Sequence, residues 1–376
     1  MLVLFALPVE SLRGKQSASN PHHCEKRGNK ERQLWRFTMA LKTPLCDLLA
    51  CEYPIMNAPM RDLGGPRLAA AVSNAGGFGV IQKQYDTPEL FREHVKQTKA
   101  LTERPFGASF LLSFPYEELL QVCFDEGVPY VSFYWGDIPP VIIERCHQHG
   151  VKVGQQVGTV ADAVECKEAG VDIIIAQGEE AGGHVIGNVS TMVLVPAVVE
   201  AVKPVPVLAA GGIADARGVV AALALGAQGV VLGTRFLATP ESDAHDLYKE
   251  KLLSASELDT HKSLLWGAAW PDAPHRVLRT GFVEAHSGTE EEGQKPAPPD
   301  APTIGTRIVG GVKKEIKPFQ GYTVDQTVEG EMDKLCYFAG QSVGMINELK
   351  PAGDIVRELV DGARRLIHGE LLAFVP

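Results

Sequence analysis

His184 ends the run Ala176-Gln177-Gly178-Glu179-Glu180-Ala181-Gly182-Gly183-His184, a polar segment with three glycines directly after an apolar stretch. Imidazole titrates near neutral pH, so a histidine presented by such a loop can take a proton from a carbon acid. Gln177 brings an amide donor and an acceptor to the base of the loop. Gly182 and Gly183 let a flat ring lie close to the backbone, where a Cβ would intrude. The bland alternative is a solvated or structural histidine, and the position and the glycines weigh against it. Glu179 and Glu180 could serve as paired acids, but loop solvation and helix-end charge account for them better. His147 and His149 form a His-x-His at the end of a helical pattern. No acidic or cysteine partner lies near them in sequence, so they read as a helix-end feature and no metal site is expected.

A second group suits phosphate. Ala209-Ala210-Gly211-Gly212-Ile213 and Val231-Leu232-Gly233-Thr234-Arg235 each follow a short apolar run with glycine. Bare backbone N–H groups at such turns cradle a phosphate, and Thr234 can add a hydroxyl donor. Asp215 is placed to cap a helix running to about Leu225. The glycines alone do not separate a flavin from a sugar phosphate.

These residues need elements that bring them to one place. Apolar runs at 54–57, 79–82, 106–112, 130–134, 152–157, 172–176, 205–210 and 228–232 read as eight strands. Helical patterns lie between them, as at 88–100, 116–126 and 140–149. Gly76, Gly127, Gly150, Gly170 and Gly226 each close a helical pattern before a strand, as left-handed C-terminal caps do. Eight strand–helix units predict an α/β protein of the parallel (β/α)8 (TIM) barrel type, with catalytic groups at the C-terminal ends of the strands. A doubly wound open sheet is the alternative, but the Gly-x-Gly-x-x-Gly expected after its first strand is absent.

Three regions are predicted. Residues 1–38 carry seven Lys/Arg and three Glu, a net +4, and read as a basic, disordered extension. They lack the basic start and small-residue cleavage site of a secretory signal; a mitochondrial transit peptide fits their charge but not their glutamates. Residues 39–240 form the barrel. Residues 241–376 form a C-terminal helical cap that completes the substrate site, helical over 241–266 and 354–372, with a mobile insertion at 288–303 rich in Glu, Pro and Gly.

Composition excludes other classes. The chain has 376 residues, 45% hydrophobic, with a net charge of −10. The body outside 1–38 therefore carries −14, against a nucleic-acid binder. No run approaches the ~18–20 apolar residues of a membrane span. Seven unpaired-looking cysteines argue against a disulfide framework and for a reducing, cytoplasmic setting.

Five motifs in order carry a resemblance: Pro54-Ile55-Met56-Asn57-Ala58-Pro59-Met60, Ala70 to Gly79 (AAVSNAGGFG), Ala176 to His184, Ala209 to Asp215, and Leu232 to Phe236. Together they resemble the nitronate monooxygenase (2-nitropropane dioxygenase) family from Thr43 to about Ser242. Ala339 to Ile346 (AGQSVGMI) is similar to its C-terminal segment. The resemblance implies FMN at the barrel mouth, held by Asn74, Gln177, Gly182, Gly183, Gly211, Gly212 and Val231, Leu232, Gly233 and Thr234. Ala58, Pro59 and Met60 would lie beside the flavin, and His184 would be the catalytic histidine. The implied reaction is oxidation of an alkyl nitronate such as propionate 3-nitronate by O2, giving a carbonyl compound and nitrite. The implied partners are that small molecule and O2, with no nucleic acid or membrane, and a homodimer is compatible with them.

Two departures stand out. His184 is followed by Val185-Ile186-Gly187 where the family often has Arg-Gly, and the 288–303 insertion interrupts a region expected near the substrate. The nearest rival resemblance is the FMN-dependent, NAD(P)H-using enoyl-acyl-carrier-protein reductase, which shares the Glu-Ala-Gly-Gly-His loop; Ala339 to Ile346 favours the monooxygenase. A hydroxy-acid-oxidising FMN barrel would pair an arginine with a histidine late in the barrel, and Arg235 has no such neighbour. A barrel that binds FMN without catalysis is the non-enzyme alternative.

Overall fold

The computed structural model describes residues 41–374, so the expectation for 1–38 lies outside the described residues. Eight parallel strands form one sheet: β1 (Ile55–Asn57), β2 (Gly79–Ile81), β3 (Phe106–Leu111), β4 (Tyr130–Tyr134), β5 (Lys152–Val157), β6 (Ile173–Gln177), β7 (Val207–Ala210) and β8 (Gly229–Leu232). Their order is β1-β8-β7-β6-β5-β4-β3-β2, and a parallel bridge from Met56 to Phe78 joins β1 to β2. All eight expected strands are present within two residues of their predicted ends. The sheet closes on itself as a (β/α)8 barrel, which excludes the open doubly wound sheet.

Seven helices alternate with these strands: α1 (Pro66–Asn74), α2 (Pro88–Leu101), α3 (Glu117–Asp125), α4 (Pro140–Gln148), α5 (Val160–Glu168), α6 (Thr191–Val202) and α7 (Ala216–Ala224). Local sequence starts them. Proline, which has no N–H to leave unpaired, opens α1, α2 and α4. Thr159 and Asp162 form a capping box on α5, and Asp215 accepts from the N–H groups of Arg217 and Gly218 on α7, as expected.

Side-chain alternation along each strand divides the core in two. On β6, Ile174 and Ala176 point outward to the helices, while Ile173 and Ile175 point into the barrel. Inside, Tyr130 meets Phe78 edge to face at 5.4 Å, and Leu45 and Leu49 of the short helix Pro44–Leu49 join the same inner cluster. The barrel is thus filled with side chains, and a ligand must sit above them at the C-terminal ends of the strands.

The chain then leaves the barrel for over a hundred residues before supplying its eighth helix, α8 (Ala352–Arg365), which packs between α7 and α1 and completes the ring. The barrel therefore draws on residues beyond 240. The region between is not purely a helical cap. Helix replaces the expected 241–266 pattern only over Asp246–Ser254. Thr260–Ser263 is instead a strand, paired antiparallel with His275–Leu278, which pairs in turn with Gly183–His184. A second small sheet joins Gly305–Val309 to Val312–Ile316 and Glu329–Gly330. The Gly183–His184 and Glu329–Gly330 pairings join segments far apart in sequence, whereas Gly305–Val309 and Val312–Ile316 form a local hairpin across Gly310-Gly311, a turn signal that the helical-cap expectation passed over. The 288–303 segment holds a 3-10 turn at Glu290–Gln294, with Gly293 buried against Leu265.

Among the described residues no helix is long and apolar enough to cross a membrane. Their six cysteines are free thiols; Cys24 lies outside the described residues.

Candidate active site

A cleft opens at the C-terminal ends of the strands, with an empty volume of about 1090 Å3 counting the part open to solvent. Its walls come from the βα turns of the barrel and from the excursion between β8 and α8.

His184 is held on three sides. Its backbone lies in the small sheet opposite His275, and Val185 N–H donates to Pro274 O at 2.9 Å. Its Nδ1 is 3.0 Å from Ala273 O. A carbonyl can only accept, so Nδ1 carries the proton and Nε2 of the neutral ring is left as an acceptor. The ring lies among Trp270, His275, Trp135 and Phe338, with centroids at 4.2, 5.1, 5.8 and 5.8 Å. Burial pushes its pKa well below the ordinary 6.5, and nearby His275 and Arg61 push the same way. The arrangement supplies a fixed, neutral imidazole, fit to accept a proton or a hydrogen bond. Val185 is fully buried, so the departure from the family after His184 fills core space.

The rest of the loop is tied down by its own polar groups. Gln177 Nε2 donates to His184 O at 3.1 Å, and Gln177 Oε1 accepts from Ile186 N–H at 3.3 Å. The amide expected to face a ligand thus also bridges the two ends of the loop. Arg276 donates from Nε and Nη2 to Glu179 O. Glu180 accepts from the Thr191 N–H and hydroxyl at the start of α6, so it caps a helix and is not half of an acid pair. His147 pairs with Asp172 at 2.8 Å, and His149 stacks on Phe124 at 4.2 Å. No group of metal-ligating side chains occurs among the described residues.

The two glycine turns differ in backbone shape. Gly211 and Gly212 have φ of 101° and 72°, successive left-handed residues at the tip of β7, and a Cβ on Gly211 would sit 2.9 Å from Gly178 O. At the tip of β8, Thr234 Oγ1 accepts from the buried Gly340 N–H at 3.0 Å and keeps its own O–H to donate. Gly340 reaches this turn because it lies flat on the histidine loop: a Cβ there would meet Glu180 O at 2.8 Å and Gly182 N at 2.9 Å. The Ala339 to Ile346 motif therefore belongs to the site.

Of the expected residues, Ala58, Pro59, Met60, Gln177, Gly182, Gly183, His184, Gly211, Gly212, Val231, Gly233 and Thr234 line the cleft. Two do not. Asn74 lies at the end of α1, where its amide donates to Leu101 O at 2.9 Å and accepts from the Thr102 hydroxyl at 2.6 Å. A residue at the C-terminus of the first helix faces the opposite end of the barrel, so its position in the family motif, carried over by resemblance, does not bring it to the cleft. Leu232 has the outward parity of β8 and is buried among helices; only its carbonyl takes part, accepting from Ala58 N–H at 2.8 Å. Arg235, considered above for a hydroxy-acid site, donates to the carbonyls of Ala238 and Glu348 and is structural.

Several lining residues escaped the sequence reading: Arg61, Gln82, Tyr134, Trp135, Gln156 and Phe338. Four of them leave a buried polar atom without a partner, namely Gln82 Nε2, Tyr134 OH, Trp135 Nε1 and Gln156 Oε1. Buried polar groups are seldom left so, and these four line one cleft, where each is free to hydrogen-bond a polar ligand. A signal existed for the glutamines: each stands at an inward position near the end of an apolar strand.

Comparison with known proteins follows the same lines. A family model described as nitronate monooxygenase matches residues 42–118 and 108–362. A Staphylococcus saprophyticus protein named "Probable nitronate monooxygenase" is 32% identical over 324 residues, covering 74% of this chain and 88% of that one. Among solved structures, FabK from Thermotoga maritima is 36% identical with a TM-score of 0.74, covering 89% of this chain and 99% of that one. Nitroalkane oxidase from Streptomyces ansochromogenes is 29% identical with a TM-score of 0.71, covering 85% and 98%.

Proposed function

Because the chain belongs to the nitronate monooxygenase family, an oxidoreductase family, we propose that it oxidises alkyl nitronates with O2 to carbonyl compounds and nitrite, using FMN. The observation that carries this reading is His184, a neutral imidazole fixed by Ala273 in the wall of a cleft that two glycine turns also line.

The residues present fit FMN. The unpaired atoms of Gln82, Tyr134, Trp135 and Gln156 offer both donors and acceptors to a flat ring with a polar edge. Gly211, Gly212, Gly233 and Thr234 would hold the phosphate. FMN, when bound, supplies the one-electron and O2 chemistry that no side chain can.

The chain's own residues supply position and charge. His184 accepts a hydrogen bond or, from a neutral nitroalkane, the α-proton; its neutrality keeps that capacity below the usual imidazole range. Trp135, Trp270 and Phe338 around it exclude water from the reacting carbon. The test is anaerobic mixing of the flavin-loaded protein with propionate 3-nitronate, followed by oxygen and a nitrite assay. Loss of the oxidised flavin band and then release of nitrite are expected. A flavin band that NADH bleaches but the nitronate leaves unchanged overturns this reading in favour of an NAD(P)H-dependent reductase.

A further inference from the structure

Arg61 stands in the turn after β1 with a left-handed φ of 47°, uncommon for a side chain of its size, and it lines the same cleft as His184. Its backbone N–H is fastened to Gln82 Oε1 at 2.6 Å. Its guanidinium donates from Nη1 to the Tyr85 hydroxyl at 2.9 Å and from Nη2 to Gly321 O at 3.0 Å. Cζ lies 5.7 Å from the centroid of the Phe338 ring, and His184 flanks that same ring at 5.8 Å.

The partners are all neutral. Neighbouring cations have carboxylates: Arg307 holds Asp62 at 2.8 Å and Asp325 at 3.0 Å, and Lys83 and Arg67 share Asp243. Asp62, next in sequence to Arg61, is turned away to Arg307. Among the described residues no carboxylate lies within ion-pair distance of Arg61. A half-buried cation without a carboxylate in contact is costly, with Asp62 acting on it only at longer range, and only two of its five N–H groups are used. Three N–H groups remain, enough to donate two hydrogen bonds to a planar anion with two oxygens.

We propose that Arg61 is a specificity-determining residue that binds a planar two-oxygen anionic group of the substrate and so selects anions over neutral molecules of the same shape. The group is the nitronate itself or a carboxylate elsewhere on the same molecule. The substrate identity rests on the function proposed above; the anion preference does not.

The test uses the flavin-loaded full chain and its Arg61→Met and Arg61→Lys variants, with thermal melting and flavin content checked first. Binding of acetate and of neutral acetamide is read from the visible flavin spectrum. Wild type is expected to prefer acetate. Arg61→Met should weaken acetate binding by about tenfold to a hundredfold, as for a lost charge-assisted hydrogen bond, and leave acetamide unchanged. Arg61→Lys should recover part of the loss. In turnover, the KM for nitronates should rise more than kcat falls. A rise for both ethyl nitronate and propionate 3-nitronate assigns the nitronate as the anchored group; a rise for the second alone assigns the carboxylate. Equal acetate binding in wild type and Arg61→Met overturns the proposal, as does loss of flavin from both folded variants, which would place Arg61 in the cofactor site. Anion selectivity without nitrite release would sustain Arg61 as the anchor and refute the nitronate reading alone.

Discussion

One carbonyl sets the chemistry of His184. Ala273 O receives Nδ1–H from both His184 and His275, at 3.0 and 3.2 Å, so both rings are oriented and neutral. Replacing His184 by Asn should lower nitronate kcat/KM by about 10²–10⁴-fold, the usual contribution of a positioned acid or base, with flavin content unchanged. Because burial lowers the pKa of His184, the acidic limb of the kcat/KM profile should lie below pH 6.5. A limb at or above that value would contradict the environment described for the ring. His184 itself was legible from its glycines and its place after a strand. Its tautomer was not, because Ala273 is 89 residues away in sequence. Gln177 was legible as a polar strand tip, but its engagement with the loop ends depends on how the loop folds back.

At the scale of elements, the site is a junction between two βα turns and a segment that returns from the far end of the chain. Thr234 and Gly340 are the seam, joined by one buried hydrogen bond. Thr234→Val keeps the shape but leaves the Gly340 N–H unsatisfied, a loss of about 1–3 kcal/mol. Calorimetry should show a lower Tm and titration a weaker FMN affinity, with Thr234→Ser close to wild type. The strands and most helices could be read because each follows from a local rule: short continuous apolar runs, proline at helix starts, glycine at helix ends. The small sheet that carries His184 could not. Gly183–His184 is two residues long and exists only because His275 and Arg276 lie alongside it. The 288–303 segment, expected to be mobile, has a structural task for the same reason: Gln294 accepts from Asp272 N–H at 2.9 Å, beside the turn that presents Ala273.

The whole molecule depends on closure by a late helix. α8 buries Ile355, Val356, Leu359 and Val360 against the barrel. At about 1.5–3 kcal/mol for each side chain, their loss equals much of a domain's total stability of about 5–15 kcal/mol. Truncation after residue 350 is therefore expected to abolish soluble, folded protein, as judged by yield and circular dichroism. Global stability should also depend on pH through His275, whose pKa burial lowers from 6.5 to about 4. Below pH 6.5 the unfolded chain binds a proton that the folded one refuses, so stability falls as the pH drops toward 4. Between pH 7 and 5 this one group costs on the order of 2 kcal/mol, and urea unfolding of His275→Phe should lack that share of the decline.

Local sequence patterns were enough to read the barrel, the end of it that bears the site, and twelve of the residues that line the cleft. These follow from patterns within one strand–helix unit, where the physical causes are local. Which helix closes the ring, which glutamines and which tryptophan line the cleft, why Asn74 does not, and that Arg61 makes no ion pair emerge from the folded chain alone. Each of these depends on contacts between residues far apart in the chain, and such contacts leave no periodicity behind.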